Sequence, residues 1–252
     1  MYNLGLIGKN LQNSFSKKFF QKKFKKENLT NFSYKLYDLD NIKDFNLLLI
    51  NKNITGLNVT SPYKESVIKY INHLDEISNK TKSVNTIFIN NKTNKTKGYN
   101  TDVYGFKKSL ELFTPKSNLK AIVLGNGGVS KSICFVLKEK KIDYIIVSRN
   151  NNKKDIISYK ESEKYLKTHK LIINTTILGS NNLINFFPNI NYNLISNKHY
   201  MYDLIYNPKE TFFLKKGKEK GAKIMNGKKM LELQAEFSFR IWIKEIQSKK
   251  NV

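Results

Sequence analysis

The chain of 252 residues has a single cysteine, Cys134, and so cannot close an internal disulfide. That fits a reducing compartment, and a cytoplasmic protein is the expectation. No apolar run approaches the ~20 residues needed to cross a bilayer, which excludes a helical membrane protein. The opening Met1-Tyr2-Asn3-Leu4-Gly5 lacks the charged and apolar stretches of a signal peptide, so secretion is not expected. The three histidines, His73, His169 and His199, share no metal-ligand spacing, and one cysteine makes no zinc pattern. No metal is expected. Internal repeats and long low-complexity linkers are also missing.

Acidic residues are scarce: 20 Asp and Glu stand against 45 Lys and Arg, a net charge of +25. A surface of that charge attracts nucleic acid or anionic metabolites. The lysines, however, are spread along the whole chain, without the arginine clusters or interleaved aromatics of a nucleic-acid face. The wealth of Lys, Asn and Ile, all encoded by A/T-rich codons, accounts for the charge by composition. No specific nucleic-acid partner is expected. Hydrophobic residues at 40% and aromatics at 12% are enough for a core and too many for a disordered chain.

The length suits two domains better than one. Apolar runs at 2–7, 33–37, 55–59 and 84–89 read as strands, with helices at 15–26 and 63–71. A second series follows: a helix at 103–113, strands at 119–124, 144–147, 171–173 and 201–205, and a helix at 130–140. One long helix, 229–247, ends the chain. Strands alternating with helices predict mainly parallel sheets with covered faces, arranged as two α/β domains. Ligands in such sheets sit outside the carboxyl ends of the strands.

Four segments carry chemistry. Ala121-Ile122-Val123-Leu124-Gly125-Asn126-Gly127-Gly128-Val129-Ser130 runs an apolar strand through glycines into a helix, where a backbone can approach a pyrophosphate. A plain structural turn is the competing reading. The next strand ends in Ser148-Arg149-Asn150, with Lys153 behind it. The acid that holds a ribose 2′-hydroxyl in NAD sites is absent there, and an arginine suits a 2′-phosphate. Arg149 as a merely solvated cation is the alternative. Asn58-Val59-Thr60-Ser61-Pro62-Tyr63-Lys64-Glu65 places Lys64 just past a strand, and Asn100-Thr101-Asp102 places a carboxylate likewise. Lysine beside aspartate is a workable proton-transfer pair at an alcohol or ketone carbon. Ser14 and Ser16 read as caps of a helix start, Asn85 as a cap or a ligand group, and Cys134 as a small core residue.

Together these segments resemble the shikimate dehydrogenase family. Gly5-Leu6-Ile7-Gly8 with Ser14-Phe15-Ser16 is similar to its opening strand and paired serines. Asn58 to Glu65, Val84-Asn85-Thr86, Asn100-Thr101-Asp102 and the glycine turn follow in the family's order. So do Ser148-Arg149-Asn150, Ile173-Asn174-Thr175-Thr176, Tyr202-Asp203-Leu204-Ile205-Tyr206-Asn207-Pro208, and Gly227, Met230, Leu231 and Gln234. The likeness spans nearly the whole chain.

The resemblance implies a two-domain α/β fold: a substrate domain at 1–101, completed by 228–252, and a Rossmann-like NADP-binding domain at 102–227. It implies NADPH-dependent, reversible reduction of 3-dehydroshikimate in aromatic amino-acid biosynthesis. Lys64 and Asp102 would be catalytic; Ser14, Ser16, Thr60, Asn85, Tyr206 and Gln234 would join them in holding the substrate. Gly125, Asn126, Gly127, Gly128, Val129, Ser148, Arg149, Asn150 and Lys153 would bind NADP, with Thr175, Leu204 and Gly227 lining the nicotinamide side. A monomer or homodimer without membrane partners is implied. Two rivals stand beside this reading: a broader quinate/shikimate dehydrogenase, and a basic nucleic-acid binder on an inactive fold. The sequence departs from the family pattern at Asn13, Asn126 and Lys228-Lys229, and the stretch from Arg149 to Leu171 is short for a helix and a strand.

Overall fold

The computed structural model describes residues 1–12, 14–51, 53–114, 119–149 and 155–248, which divide into two compact units. The first comprises Met1–Tyr104 and the C-terminal segment from Gln234; the second is Gly105–Leu233. The chain passes between units inside two helices, α4 (Thr101–Phe113) and α8 (Lys228–Ser248). The boundaries expected at 101/102 and 227/228 fall at the starts of those helices.

The first unit holds β1 (Tyr2–Gly8), β2 (Phe32–Asp38), β3 (Gly56–Val59), β4 (His73–Leu74), β5 (Thr86–Ile89) and β6 (Thr96–Tyr99), with α1 (Phe15–Lys26), α2 (Phe45–Asn51) and α3 (Glu76–Thr81). Its sheet runs β2-β1-β3-β5-β6-β4. β1 pairs parallel with β2 and β3, but β5 is antiparallel to both β3 and β6, so the sheet is mixed. Alternation along β1 separates its two cores. Leu4 and Leu6 join Phe20, Phe24, Phe239 and Trp242, while Ile7 joins Phe45, Leu57 and Val67. Fully buried Trp242 anchors α8 there by donating to the Ile87 carbonyl at 2.9 Å.

The second unit holds β7 (Ala121–Leu124), β8 (Tyr144–Val147), β9 (Ile156–Ile157), β10 (Leu171–Asn174), β11 (Tyr200–Asp203) and β12 (Lys223–Met225). The helices between them are α5 (Gly128–Glu139), α6 (Glu163–Leu166) and α7 (Phe212–Glu219). Every strand is parallel, in the order β12-β11-β10-β7-β8-β9, the arrangement of a doubly wound dinucleotide-binding sheet. β7 and β10 are buried at every residue, as a strand covered on both faces must be.

Several elements differ from the sequence reading: the helix expected at 103–113 begins at Thr101, the strand expected at 119–124 begins at Ala121, and the strand expected at 201–205 is Tyr200–Asp203. The helix expected at 63–71 is a 3-10 turn, Ser66–Tyr70, in which β-branched Val67 and Ile68 favour helix little and Glu65 makes no cap bond. The strand expected from Val84 begins at Thr86. The helix expected from Ser130 begins two residues earlier, at Gly128.

Candidate active site

In the first unit the centre is an ion pair. Lys64 follows β3, and its Nζ donates to Asp102 Oδ2 at 2.7 Å. Backbone bonds fix both ends: Thr60 N donates to the Ile7 carbonyl at 2.9 Å, and Val84 N donates to the Lys64 carbonyl at 2.8 Å. Asp102 lies in the first turn of α4, where the helix dipole favours a negative charge. It is 5% exposed, while Lys64 is less deeply covered. The other carboxylate oxygen, Oδ1, accepts from Asn85 Nδ2 at 2.9 Å. Asn85 also donates to Gln234 Oε1 at 3.3 Å, on α8. Lys64, Asn85, Asp102 and Gln234, from four separate parts of the chain, thus form one hydrogen-bonded group.

The remaining candidates of this unit stand around it. Ser14 is the N-cap of α1, its Oγ accepting from Ser16 N at 3.2 Å. The Ser16 side chain reaches the buried Tyr34 phenol, which burial pushes up in pKa and Ser16 draws partly back. Thr60 is half-buried at the end of β3.

In the second unit the candidates gather at the carboxyl ends of the parallel strands. Gly125 follows β7 with φ of 104°, a left-handed conformation that suits glycine; its N donates to the Val147 carbonyl at 2.8 Å. Thr175, after β10, donates through Oγ1 to the Leu124 carbonyl at 2.8 Å, so the glycine turn and the β10 loop are tied at the point where the strand order reverses. Gly127 caps α5 without a side-chain bond, and nothing lies within 4 Å of where its Cβ would be. An uncapped helix start with open space before it fits a pyrophosphate. Asn126 and Gly127 are exposed, Gly128 and Val129 half-buried. After β8, buried Ser148 donates its N–H to the Ile157 carbonyl at 3.0 Å, and Arg149 is exposed. Its charge partly offsets the burial that raises the Tyr159 phenol, as a cation at that edge should. Asn150 and Lys153 lie outside the described residues. Tyr206, expected on the substrate, belongs to this unit, in the loop after β11.

Sequence reasoning assigned no role to a buried clamp beneath these loops. Asp203, at the end of β11, accepts from Ile205 N at 3.0 Å, Asn174 Nδ2 at 3.0 Å and Thr211 Oγ1 at 2.5 Å. Asn174 Oδ1 accepts from Thr176 N at 3.0 Å and Thr176 Oγ1 at 2.7 Å. One amide–carboxylate contact therefore shapes both the loop carrying Thr175 and the loop carrying Leu204 and Tyr206. Burial raises the Asp203 carboxyl to about 6, against the opposing pull of its three donors. Gly227 packs so closely on Leu204 that a Cβ would collide with its backbone carbonyl. The signal in the sequence was polar residues at the ends of otherwise apolar strands.

Cys134 is buried, and burial pushes its thiol up, as a core residue requires. His199 is fully buried: its Nδ1 accepts from Ser196 N at 3.0 Å and Nε2 donates to the Leu166 carbonyl at 2.8 Å. Among the described residues no cluster of His, Cys, Asp and Glu could hold a metal ion. No helix among them is long and apolar enough to cross a membrane.

A doubly wound unit with a glycine turn, together with a unit holding a partly buried lysine–aspartate pair, defines a nicotinamide-nucleotide-dependent dehydrogenase. Residues 6–87 match the family model described as the shikimate dehydrogenase substrate binding domain. The chain is 40% identical over 254 residues to shikimate dehydrogenase (NADP(+)) of Clostridium botulinum strain Hall, covering 96% of each chain. It is 36% identical to the enzyme of that name from Caldanaerobacter subterraneus, covering 97% of this chain and 92% of the other. The crystal structure of shikimate dehydrogenase from Aquifex aeolicus, 30% identical, superposes with a TM-score of 0.86 over 96% of this chain and 92% of that one. The chain belongs to the shikimate dehydrogenase family.

Proposed function

We propose that the protein reversibly reduces 3-dehydroshikimate to shikimate with NADPH, the first unit holding the substrate and the second the cofactor. The observation that carries this reading is the Lys64–Asp102 pair at 2.7 Å, in a chain with NADP-dependent relatives. NADPH, when bound, supplies the hydride, and the protein's part is to bind, orient and move a proton. Lys64 Nζ delivers that proton to the carbonyl oxygen in reduction and receives it in oxidation. Asp102 fixes the ammonium by accepting one of its three protons, which leaves the others to point at a substrate oxygen. Asn85 occupies the second carboxylate oxygen, so the pair has one stable arrangement. Ser14, Ser16, Thr60 and Gln234, all of the first unit, hold the substrate's hydroxyls and carboxylate.

In the second unit the α5 amides behind Gly127 receive the pyrophosphate, and Arg149, with Asn150 and Lys153, receives the 2′-phosphate. Thr175, Leu204 and Gly227 line the nicotinamide side. The net charge serves anionic ligands and solubility and carries no specific nucleic-acid function.

The test is a steady-state assay of the purified chain with shikimate and quinate, each with NADP and NAD. Shikimate with NADP should give the highest kcat/KM. Equal rates with quinate would establish the broader activity. No turnover, with tight RNA binding at physiological salt, would establish the nucleic-acid reading.

A further inference from the structure

Beneath the Lys64–Asp102 pair lies a buried run of hydroxyls and amides. Asn58, Thr86, Thr101 and Ser238 are each 5% exposed or less. Ser238 sits one helical turn after Gln234 on α8, and its single proton goes to the Gln234 carbonyl at 2.9 Å. Its oxygen is then left to accept, and two hydroxyls stand within reach, Thr86 at 2.7 Å and Thr101 at 3.0 Å, the Thr86 contact being the shorter. Asn58 Nδ2 also donates to it, at 3.1 Å, while Asn58 Oδ1 accepts from the Tyr34 phenol at 2.9 Å.

Proton direction then propagates. With the Thr86 proton and Asn58 Nδ2 occupying both lone pairs of Ser238 Oγ, the Thr101 hydroxyl is left to donate to Asn85 Oδ1 at 3.0 Å, beside Thr101 N at 2.7 Å. Those two donors saturate a carbonyl oxygen, so the Asn85 NH2 must turn to its other neighbours, Asp102 and Gln234. Gln234 Oε1 is thereby an acceptor, and its own NH2 is directed away from Asn85.

We propose that Ser238 is a positioning residue, the start of an ordered hydrogen-bond chain through Thr86 that fixes the amide directions of Asn85 and Gln234 against Asp102. The inference rests on the reading of Lys64, Asp102 and Gln234 as the reaction site. Without the Ser238 oxygen, the Thr86 proton turns to Asn85 Oδ1 at 3.1 Å and competes with Thr101. The Thr101 hydroxyl then turns to Gln234 Oε1 at 3.3 Å, and both amides lose their single orientation. Because buried networks polarise along their length, the effect reaches the catalytic carboxylate without any direct contact.

The experiment compares Ser238→Ala, Thr86→Val, Thr86→Ser and the double variant Ser238→Ala/Thr86→Val. Removing either hydroxyl should lower kcat/KM for shikimate about tenfold, a loss of the size expected from misplacement rather than from deleting a catalytic group. KM for NADP should stay within a factor of about two, the double variant should be no worse than either single one, and Thr86→Ser should restore activity. A second readout needs no turnover: amide exchange of the Asn85 side chain by NMR, slow in the wild type and fast in Ser238→Ala. Unchanged Asn85 exchange together with additive kinetic losses would overturn the proposal. An inactive wild type whose Asn85 exchange still responds to Ser238→Ala would instead sink the reaction assignment and leave the ordered chain standing.

Discussion

The two units build their sites by opposite means. In the first, side chains hold side chains: Lys64, Asn85, Asp102 and Gln234 meet through hydrogen bonds between groups 17 to 149 positions apart. In the second, the backbone does most of the holding, through the turn at Gly125 and the uncapped start of α5. Side chains enter there mainly from below, as the Asn174–Asp203 clamp. On the proposed function, the difference follows from the ligands. A small polyol acid is recognised by directed donors and acceptors, whereas a pyrophosphate is recognised by amides and a helix dipole.

If that contrast is right, single side-chain changes should be ruinous in the first unit and graded in the second. Asp102→Asn removes the anion that steadies Lys64, and kcat should fall roughly 10²- to 10⁴-fold with little change in KM for NADP. A comparable rise in KM for NADP would contradict the division of labour.

The next effect is on stability. The folded Asp203 carboxyl titrates at about 6, above an unfolded value near 3.8. The folded state therefore holds its proton more tightly, and stability from this group is full below about pH 4. It is lost as pH rises through 6, by roughly 3 kcal/mol in all. Denaturant titrations at successive pH values should show that decline in the wild type and its loss in Asp203→Asn. Parallel pH curves for the two proteins would show that Asp203 does not carry the slope.

Cofactor choice comes third. Arg149→Asp should cut the NADP-over-NAD ratio of kcat/KM by about tenfold or more, since a favourable cation becomes a repulsive anion at the 2′-phosphate. An unchanged ratio would leave Arg149 a solvated surface cation. The smallest structural effect belongs to Gly127→Ala: the Cβ meets open space, and stability should stay within about 0.5 kcal/mol. KM for NADP should nevertheless rise severalfold, because the methyl fills the cofactor's approach. A fall in melting temperature without a change in KM would make the turn merely structural.

The same contrast explains what the sequence disclosed. The glycine turn, Ser148-Arg149 and their strand–turn context are local, so pattern alone located them. Lys64 and Asp102 could each be placed after a strand, but their meeting is tertiary: β5 lies between β3 and β6 in the sheet, and that order brings both strand ends together. The antiparallel β5 was hidden because a buried strand looks alike in either direction. Short elements such as β4, β9, α2 and α3 carry too few residues for a period to show. Ser238 was invisible for another reason: a serine on the inner face of an amphipathic helix reads as tolerated polarity until its neighbours are known.

The most direct test of the central claim is a parallel measurement of shikimate oxidation by NADP in the wild type and Lys64→Ala, with circular dichroism and melting curves for both. The account predicts ready turnover by the wild type and a loss of roughly 10²- to 10⁴-fold in kcat for a variant that keeps its fold. A folded Lys64→Ala protein within a few fold of wild-type kcat would contradict it.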